Sequence, residues 1–201
     1  MIQRASALLL LSCIFFTSCQ KSSVSPNNGQ TLPVQKTVPV TTILNQGAPA
    51  VDTVTYKPVT GYLRLQLAKD SINTDNILIN FNPTAKTKYV PGEDAPSLQG
   101  FGLVTLSSLS SDNIPLAINV LPLTRQGLSI GLNVVAKSDG IYKLSMLALQ
   151  SVPNTYSIYI KDGYKKDSLD LRLYPNYAFN IFKADTASFG RNRFKLLIRA
   201  K

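Results

Sequence analysis

The sequence predicts an all-β protein, with a single antiparallel β-sandwich or jelly-roll-like domain over residues 61–201. Three observations lead to this prediction. Short apolar runs alternate with polar residues at a period of two, as in half-buried strands. Turn signals such as Asn82-Pro83, Asp139-Gly140 and Asp162-Gly163 separate the runs. The region also approaches the ~150 residues at which a chain buries roughly 70% of its surface, so a core can form without disulfides.

Nine runs carry the strand pattern, which exceeds the seven strands typical of a sandwich. Residues 141–152 also fit one face of a helix, but Gly140 in front of them and their β-branched neighbours favour a strand. The alternating residues are Leu63, Leu65 and Leu67; Ile77, Ile79 and Phe81; Ile118 and Val120; Ile130, Leu132 and Val134; Tyr142, Leu144 and Met146; Tyr156, Ile158 and Ile160; Leu169, Leu171 and Leu173; Tyr177, Phe179 and Ile181; Phe194, Leu196 and Ile198.

Residues 1–18 have the composition of a lipoprotein signal peptide. Arg4 supplies the positive charge, and the apolar run over 7–16 is too short to cross a bilayer. Thr17 and Ser18 then precede Cys19, an arrangement similar to a bacterial lipobox. We therefore expect cleavage between Ser18 and Cys19 and lipidation of Cys19; the alternative is a plain signal peptide with a chance Cys.

Residues 19–60 are expected to form a tether behind the lipid. They are rich in Pro, Ser and Asn, and no helix tolerates this spacing of Pro. Residues 51–60 are a candidate first strand at the end of the tether. Cys13 would leave with the signal peptide, so the mature chain would hold one Cys and no disulfide.

Composition excludes several chemistries. The chain has no His, no Trp and only 2 Cys. Zinc and haem sites and Ser–His or Cys–His nucleophiles depend on residues that are missing here. We accordingly predict no catalytic residues, no metal and no cofactor.

Two groups of carboxylates are candidate sites. Glu93 and Asp94 are adjacent, and neighbouring side chains in an extended loop point apart, so a solvated turn is favoured over a glycosidase pair. Asp162, Asp167 and Asp170 could bind calcium, but they lack the usual spacing and lie among lysines, which favours a structural hairpin.

The basic residues concentrate at the end of the chain. Removal of residues 1–18 takes one of the 21 basic residues and none of the 11 acidic ones, which leaves a net charge of +9. Arg191, Arg193, Lys195 and Arg199 form a candidate patch for an anionic ligand, with Lys183 and Lys201 nearby. Beyond the cytoplasm such ligands are lipopolysaccharide, phospholipid head groups and acidic glycans, so no nucleic acid is expected. The alternative is an edge strand whose charges prevent aggregation.

Several segments, taken in order, suggest a family. The run Asp75–Ala85 with Tyr89, and later Gly140–Leu144, Ile158–Asp162 and Arg193–Leu196, resemble a β-rich module of Bacteroidota surface proteins. That module often stands ahead of a C-terminal type IX secretion sorting domain, which is expected to be replaced here by lipobox export. The resemblance implies a fold and a compartment but no activity. Val90 and Lys86 depart from its pattern, which bears on whether the loop over 83–98 binds anything.

Together these observations predict a non-enzymatic, lipid-anchored binding or structural module of the outer membrane. Gln20 after the lipidated Cys gives no inner-membrane retention signal. The resemblance favours the cell surface, whereas the lack of acidic residues directly after Cys19 favours the periplasmic face; the surface is preferred. The expected partner besides the membrane is an envelope protein or an anionic glycan. The alternatives are an accessory subunit of a polysaccharide-uptake or secretion and gliding complex, and a small carbohydrate-active enzyme.

Overall fold

A computed structural model of the chain describes residues 57–100 and 102–201. Several predictions fall on residues 1–56 and so lie outside the described residues. They are the signal peptide, cleavage between Ser18 and Cys19, lipidation of Cys19, the tether up to residue 56 and the 51–56 part of the candidate first strand. The described region is all-β, with eleven strands, one short 3₁₀ helix and no α-helix, so the predicted fold class is confirmed. Residues 57–60 are not a strand, and the first described strand begins at Gly61.

Most strands follow one another with short connections, and a longer loop over residues 82–94 joins β2 to β3. Their bounds are β1 Gly61–Ala68, β2 Thr74–Phe81, β3 Ala95–Pro96, β4 Val104–Leu109, β5 Pro115–Leu121, β6 Leu128–Ala136, β7 Gly140–Gln150, β8 Tyr156–Asp162, β9 Asp167–Asp170, β10 Asn176–Ile181 and β11 Gly190–Ala200; the 3₁₀ helix is Thr186–Ser188.

All strands belong to one sheet, in the order β10-β7-β1-β2-β5-β4-β6-β11-β8-β9, with β3 paired to β5 off this path. Every pairing is antiparallel except that of β2 with β5. The two ends of the described sheet are therefore β10 and β9. Strand β11, which carries the predicted basic patch, lies in the interior of the sheet.

The sheet folds over so that its two halves share one core. The inner faces of β1, β2, β7 and β10 meet those of β4, β6, β8 and β11 in a single cluster of buried apolar side chains. The contact is direct where Phe179 of β10 packs against Phe194 of β11, with ring centroids 4.6 Å apart. Burial of such aromatic and aliphatic side chains is the main favourable term for a domain without disulfides.

Most strand predictions are confirmed, including β7 over the ambiguous segment. Strand β9 ends at Asp170, so the predicted alternation through Leu173 is wrong, and Leu173 is exposed. In β5 the buried positions are Leu116, Asn119 and Leu121, so Ile118 and Val120 face away from the core. A period of two identifies a strand but cannot say which of its faces a tertiary neighbour will cover.

Strand β4 was missed because its sequence has no alternation. Residues 104–108 are all buried, and they include Ser107 and Ser108. The Ser108 Oγ donates to the carbonyl of Leu116 at 3.2 Å, which satisfies a hydroxyl in the interior. A strand that is buried on both faces has no solvent-exposed polar face, so its sequence does not alternate between apolar and polar residues.

Candidate anion-binding face

Three of the four predicted patch residues are exposed on β11. Arg191, Lys195 and Arg199 have exposed side chains, while Phe194, Leu196 and Ile198 between them are fully buried. The alternation predicted for this strand is therefore confirmed from Phe194 onward. The edge-strand explanation of the charges is wrong, because β11 pairs with β6 on one side and with β8 on the other.

Arg193 does not belong to this patch. The residue as a whole is only 3% exposed, whereas the prediction required its side chain to face solvent. The pairing of β11 with β6 shifts register between Gly190 and Phe194. This irregularity lets two consecutive residues, Arg193 and Phe194, both be buried, which a regular strand does not allow.

Buried Arg193 forms an ion pair with Asp162, the last residue of β8. The Nη2 atom donates to Asp162 Oδ2 at 2.8 Å and Nε to Oδ1 at 3.1 Å, and neither side chain is exposed. Nη1 donates to the carbonyls of Asn180 at 2.7 Å and of Ser188. The guanidinium also lies 4.7 Å from the ring centroid of Phe179. Arg193 therefore links the interior strand β11 to the sheet end β10.

Both oxygens of the Asp162 carboxylate also accept hydrogen bonds from groups other than Arg193. The backbone N–H groups of Tyr164 and Lys165 donate to Oδ1 at 2.9 and 3.1 Å, and the Tyr177 hydroxyl donates to Oδ2 at 3.1 Å. Burial by itself raises the pKa of Asp162, but the bonds from Arg193 and Lys165 outweigh it and hold that pKa below its ordinary value. Burial and the Asp162 charge raise the pKa of Tyr177 well above its ordinary range. This network is structural and leaves no group free for a ligand.

The register of β11 with β8 brings a further lysine onto the outer face. Lys161 lies directly opposite Lys195, and Tyr159 lies opposite Leu197. Lys161 is exposed, and it forms no ion pair with a described residue. Sequence reasoning did not place it in the patch, although alternation within β8 already points it outward. The missing information was the pairing of β8 with a strand more than 30 residues later in the chain.

We refer to the cationic side chains on this side of the sheet as the basic face. It extends beyond β8 and β11 through Lys166, which lies in the β8–β9 turn, and Lys201, which follows β11. Its residues are Lys161, Lys166, Arg191, Lys195, Arg199 and Lys201.

One end of the basic face borders a groove of about 500 Å³, which we call the β9 groove. Lys161, Lys166, Arg199 and Lys201 line it, and Tyr159 is half-buried in its wall. Asp167 is the one carboxylate among its described lining residues. The groove therefore offers ammonium and guanidinium donors to an anion, with an aromatic surface beside them.

The other end borders a groove of about 670 Å³, which we call the loop groove. Arg191 and Lys195 line it together with the hydroxyls of Thr87, Ser111 and Ser129. Hydrogen bonds fix its outer wall: the N–H of Ser111 donates to the Thr87 carbonyl at 2.8 Å, and Arg191 Nη1 donates to the carbonyl of Asn113 at 3.2 Å. The loop groove therefore combines two cations with hydroxyl-bearing residues, of which Ser111 donates its hydroxyl to that of Thr87 at 3.2 Å, and with apolar side chains such as Leu109.

Two of the candidate carboxylates, Asp94 and Asp162, have structural roles. Asp94 is buried and accepts the N–H groups of Val90 and Val120, each at 2.8 Å, while Glu93 is exposed. The prediction of a solvated turn is therefore wrong for Asp94, which joins the loop to β5. Asp162 pairs with Asp167 across the β8–β9 hairpin, so the predicted hairpin is confirmed. Within the described residues no group of three His, Cys, Asp or Glu side chains could hold a metal ion.

A serine and a lysine also approach each other on the opposite half of the sheet. Lys69 Nζ donates to Ser138 Oγ at 2.6 Å, and the Tyr142 hydroxyl donates to the Ser138 carbonyl at 2.6 Å. Lys69 follows β1, and Ser138 lies in the turn between β6 and β7. These bonds attach that turn to the neighbouring strands.

Comparison of the chain with family models, with curated proteins and with solved structures gave no match. Over residues 57–100 and 102–201, no helix has the length and apolar character needed to cross a membrane.

Proposed function

We propose that this protein is a non-enzymatic, lipid-anchored module of the bacterial outer membrane that binds an anionic component of the envelope through the basic face. The observation that carries the proposal is the position of Lys195. It stands on an interior strand, directly opposite Lys161, where no edge needs protection. We therefore attribute these charges to ligand binding and not to protection of an edge strand from aggregation.

The pairing of Lys161 with Lys195 lowers the stability of the protein when no ligand is bound. Like charges directly opposite each other on neighbouring strands repel, at a cost of a few tenths to about 1 kcal/mol. Neither Lys161 nor Lys195 has a carboxylate partner among the described residues. A bound anion would relieve the repulsion, and it would gain charge-assisted hydrogen bonds from both ammonium groups.

The composition of the site favours binding over catalysis. The buried carboxylates Asp94 and Asp162 are fully engaged in holding the fold. The two grooves present cations and hydroxyls, which suit recognition of an anion. The lipobox and the tether would place this face near phospholipid head groups, lipopolysaccharide and acidic glycans, on the outer surface of the cell by preference.

Salt-dependent retention on immobilised dextran sulfate tests the proposal. The variant Lys161→Gln/Lys195→Gln removes two charges from the basic face. The control Arg64→Gln/Lys143→Gln removes two exposed charges from β1 and β7, in the other half of the sheet. Because both variants have the same net charge, non-specific attraction falls equally in both.

We expect the Lys161→Gln/Lys195→Gln protein to elute at clearly lower salt than the control. Equal elution of the two variants would show that retention depends on net charge alone, and the basic face would then lose its assigned role.

A further inference from the structure

We infer that the ligand of the basic face is an extended acidic polysaccharide, bound along a continuous track over the outer side of β11. This inference rests on the proposed function, because it names the class of anion for that same face. Three observations support it. The grooves are continuous, their combined length exceeds the size of a compact head group, and their lining residues can exchange hydrogen bonds with the hydroxyl groups of a carbohydrate chain.

The two grooves are joined by a third concavity. This smaller space, of about 220 Å³, is lined by Lys161, Gly163, Asn192, Arg193 and Lys195. It shares Lys161 with the β9 groove, and it shares Asn192 and Lys195 with the loop groove. A molecule lying in one groove can therefore continue into the other without leaving the protein surface.

The length of the track follows from strand geometry. Arg191 lines the loop groove and Arg199 lines the β9 groove, eight residues further along the same strand. At about 3.3 Å per residue, less some shortening at the irregular start of β11, the two lie on the order of 25 Å apart. A single phosphate or head group would contact one part of this track, whereas a chain would contact cations at both ends and at the Lys161–Lys195 centre.

The lining between the cations suits sugars. Ser157 and Ser168 line the β9 groove, and Thr87, Ser111 and Ser129 line the loop groove. Such side chains exchange hydrogen bonds with neutral hydroxyl groups.

The aromatic content of the track, which lies in the β9 groove, also differs from that of a nucleic-acid site. Tyr159 and its cross-strand neighbour Leu197 provide one apolar surface on which a sugar ring can rest. A single-stranded nucleic acid normally stacks successive bases on several aromatic platforms, and Tyr159 is the one aromatic side chain lining the two grooves and the concavity that joins them. The track is therefore better matched to a uronate chain than to a nucleic acid.

The test uses the full lipidated chain in detergent and oligogalacturonates of increasing length. We expect affinity to rise with chain length and to level off once the oligomer spans both grooves. Arg191→Gln and Arg199→Gln, at opposite ends, should each weaken the long oligomer about two- to fivefold, the range for exposed ion pairs. A galacturonate dimer is too short to reach both ends, so at most one of the two variants should weaken its binding. Arg64→Gln, off the track, should leave every affinity unchanged.

Asp167→Asn offers a complementary variant. It removes the carboxylate of the β9 groove without shortening the track, so affinity for the long oligomer should rise.

Other probes separate this inference from the proposed function. Equal affinity for dimer and long oligomer, or tighter binding to phosphatidylglycerol vesicles or inorganic phosphate, would overturn the extended ligand but leave anion binding in place. Tighter binding to a single-stranded oligodeoxythymidylate would overturn the polysaccharide in favour of nucleic acid. Failure to bind any of these anions would overturn both proposals.

Discussion

Replacing Arg193 with Met leaves the Asp162 carboxylate buried without its counter-ion. Removing one partner of a buried pair costs about 3–5 kcal/mol, because the remaining charge stays out of water. Arg193→Met also deprives the carbonyls of Asn180 and Ser188 of their donor. A domain of this size has about 5–15 kcal/mol of stability, so we expect a fall in melting temperature of roughly 10 °C or more.

The pH dependence of this loss has a definite sign. In the wild type the pKa of Asp162 lies below its ordinary value, so its contribution is present above about pH 4 and is lost as the pH falls through the folded-state pKa. Without Arg193 we expect burial, the largest of the effects on this carboxyl, to outweigh the remaining bonds from Lys165 and Tyr177 and to raise the pKa of Asp162 above its unfolded value. The loss of unfolding free energy in Arg193→Met is then largest at neutral pH and becomes smaller as acid protonates the carboxylate. The difference in unfolding free energy between the wild type and the variant should therefore decrease from pH 7 to pH 4.5.

Urea unfolding at several pH values, followed by circular dichroism, measures both effects. The control Arg199→Met removes an exposed charge from the same strand and should change stability by no more than about 0.5 kcal/mol. The double variant Asp162→Asn/Arg193→Met keeps an acceptor for the N–H groups of Tyr164 and Lys165 but removes the charge. It should be more stable than Arg193→Met at pH 7. A loss below about 1 kcal/mol in Arg193→Met, or a gap that does not change with pH, would refute this account of the buried pair.

Four further predictions concern other parts of the chain. Gly127 has φ +78°, and a Cβ there would lie 2.0 Å from the carbonyl oxygen of Ile198, so Gly127→Ala should destabilise the domain clearly more than Gly92→Ala, where φ is +88° but no atom lies within 4 Å. Cells fed alkyne palmitate should label the protein, and the Cys19→Ala variant should be unlabelled; retained label would contradict the lipobox assignment. Protease added to intact cells should digest the domain, whereas full protection until lysis would place it on the periplasmic side. Residues 61–201 expressed alone should melt cooperatively at a temperature that neither chelator nor reductant changes, and a fall with chelator would reveal a structural metal.

Much of the site could not be predicted from the sequence. Lys195 and Arg199 are predicted because a strand alternates its faces, and Arg191 because basic residues concentrate in the last part of the sequence. Both properties are local. Arg193 was misplaced because a register irregularity with β6 turns it inward, and that depends on the partner strand. Lys161 was missed for a related reason, since only the pairing of β8 with β11 places it opposite Lys195.

By itself the sequence determined that the domain is all-β, where most strands and turns lie, and that His and Trp are missing from the chain. These features follow from side-chain periodicity, turn chemistry and composition, and each can be read within a few neighbouring residues. The tertiary structure alone decided that β11 is an interior strand, that Arg193 and Asp162 are paired in the core, and that Lys161 and Lys195 lie side by side. Each of these depends on which distant segments pair and in what register, and the free energy of that choice comes from burying the whole core at once.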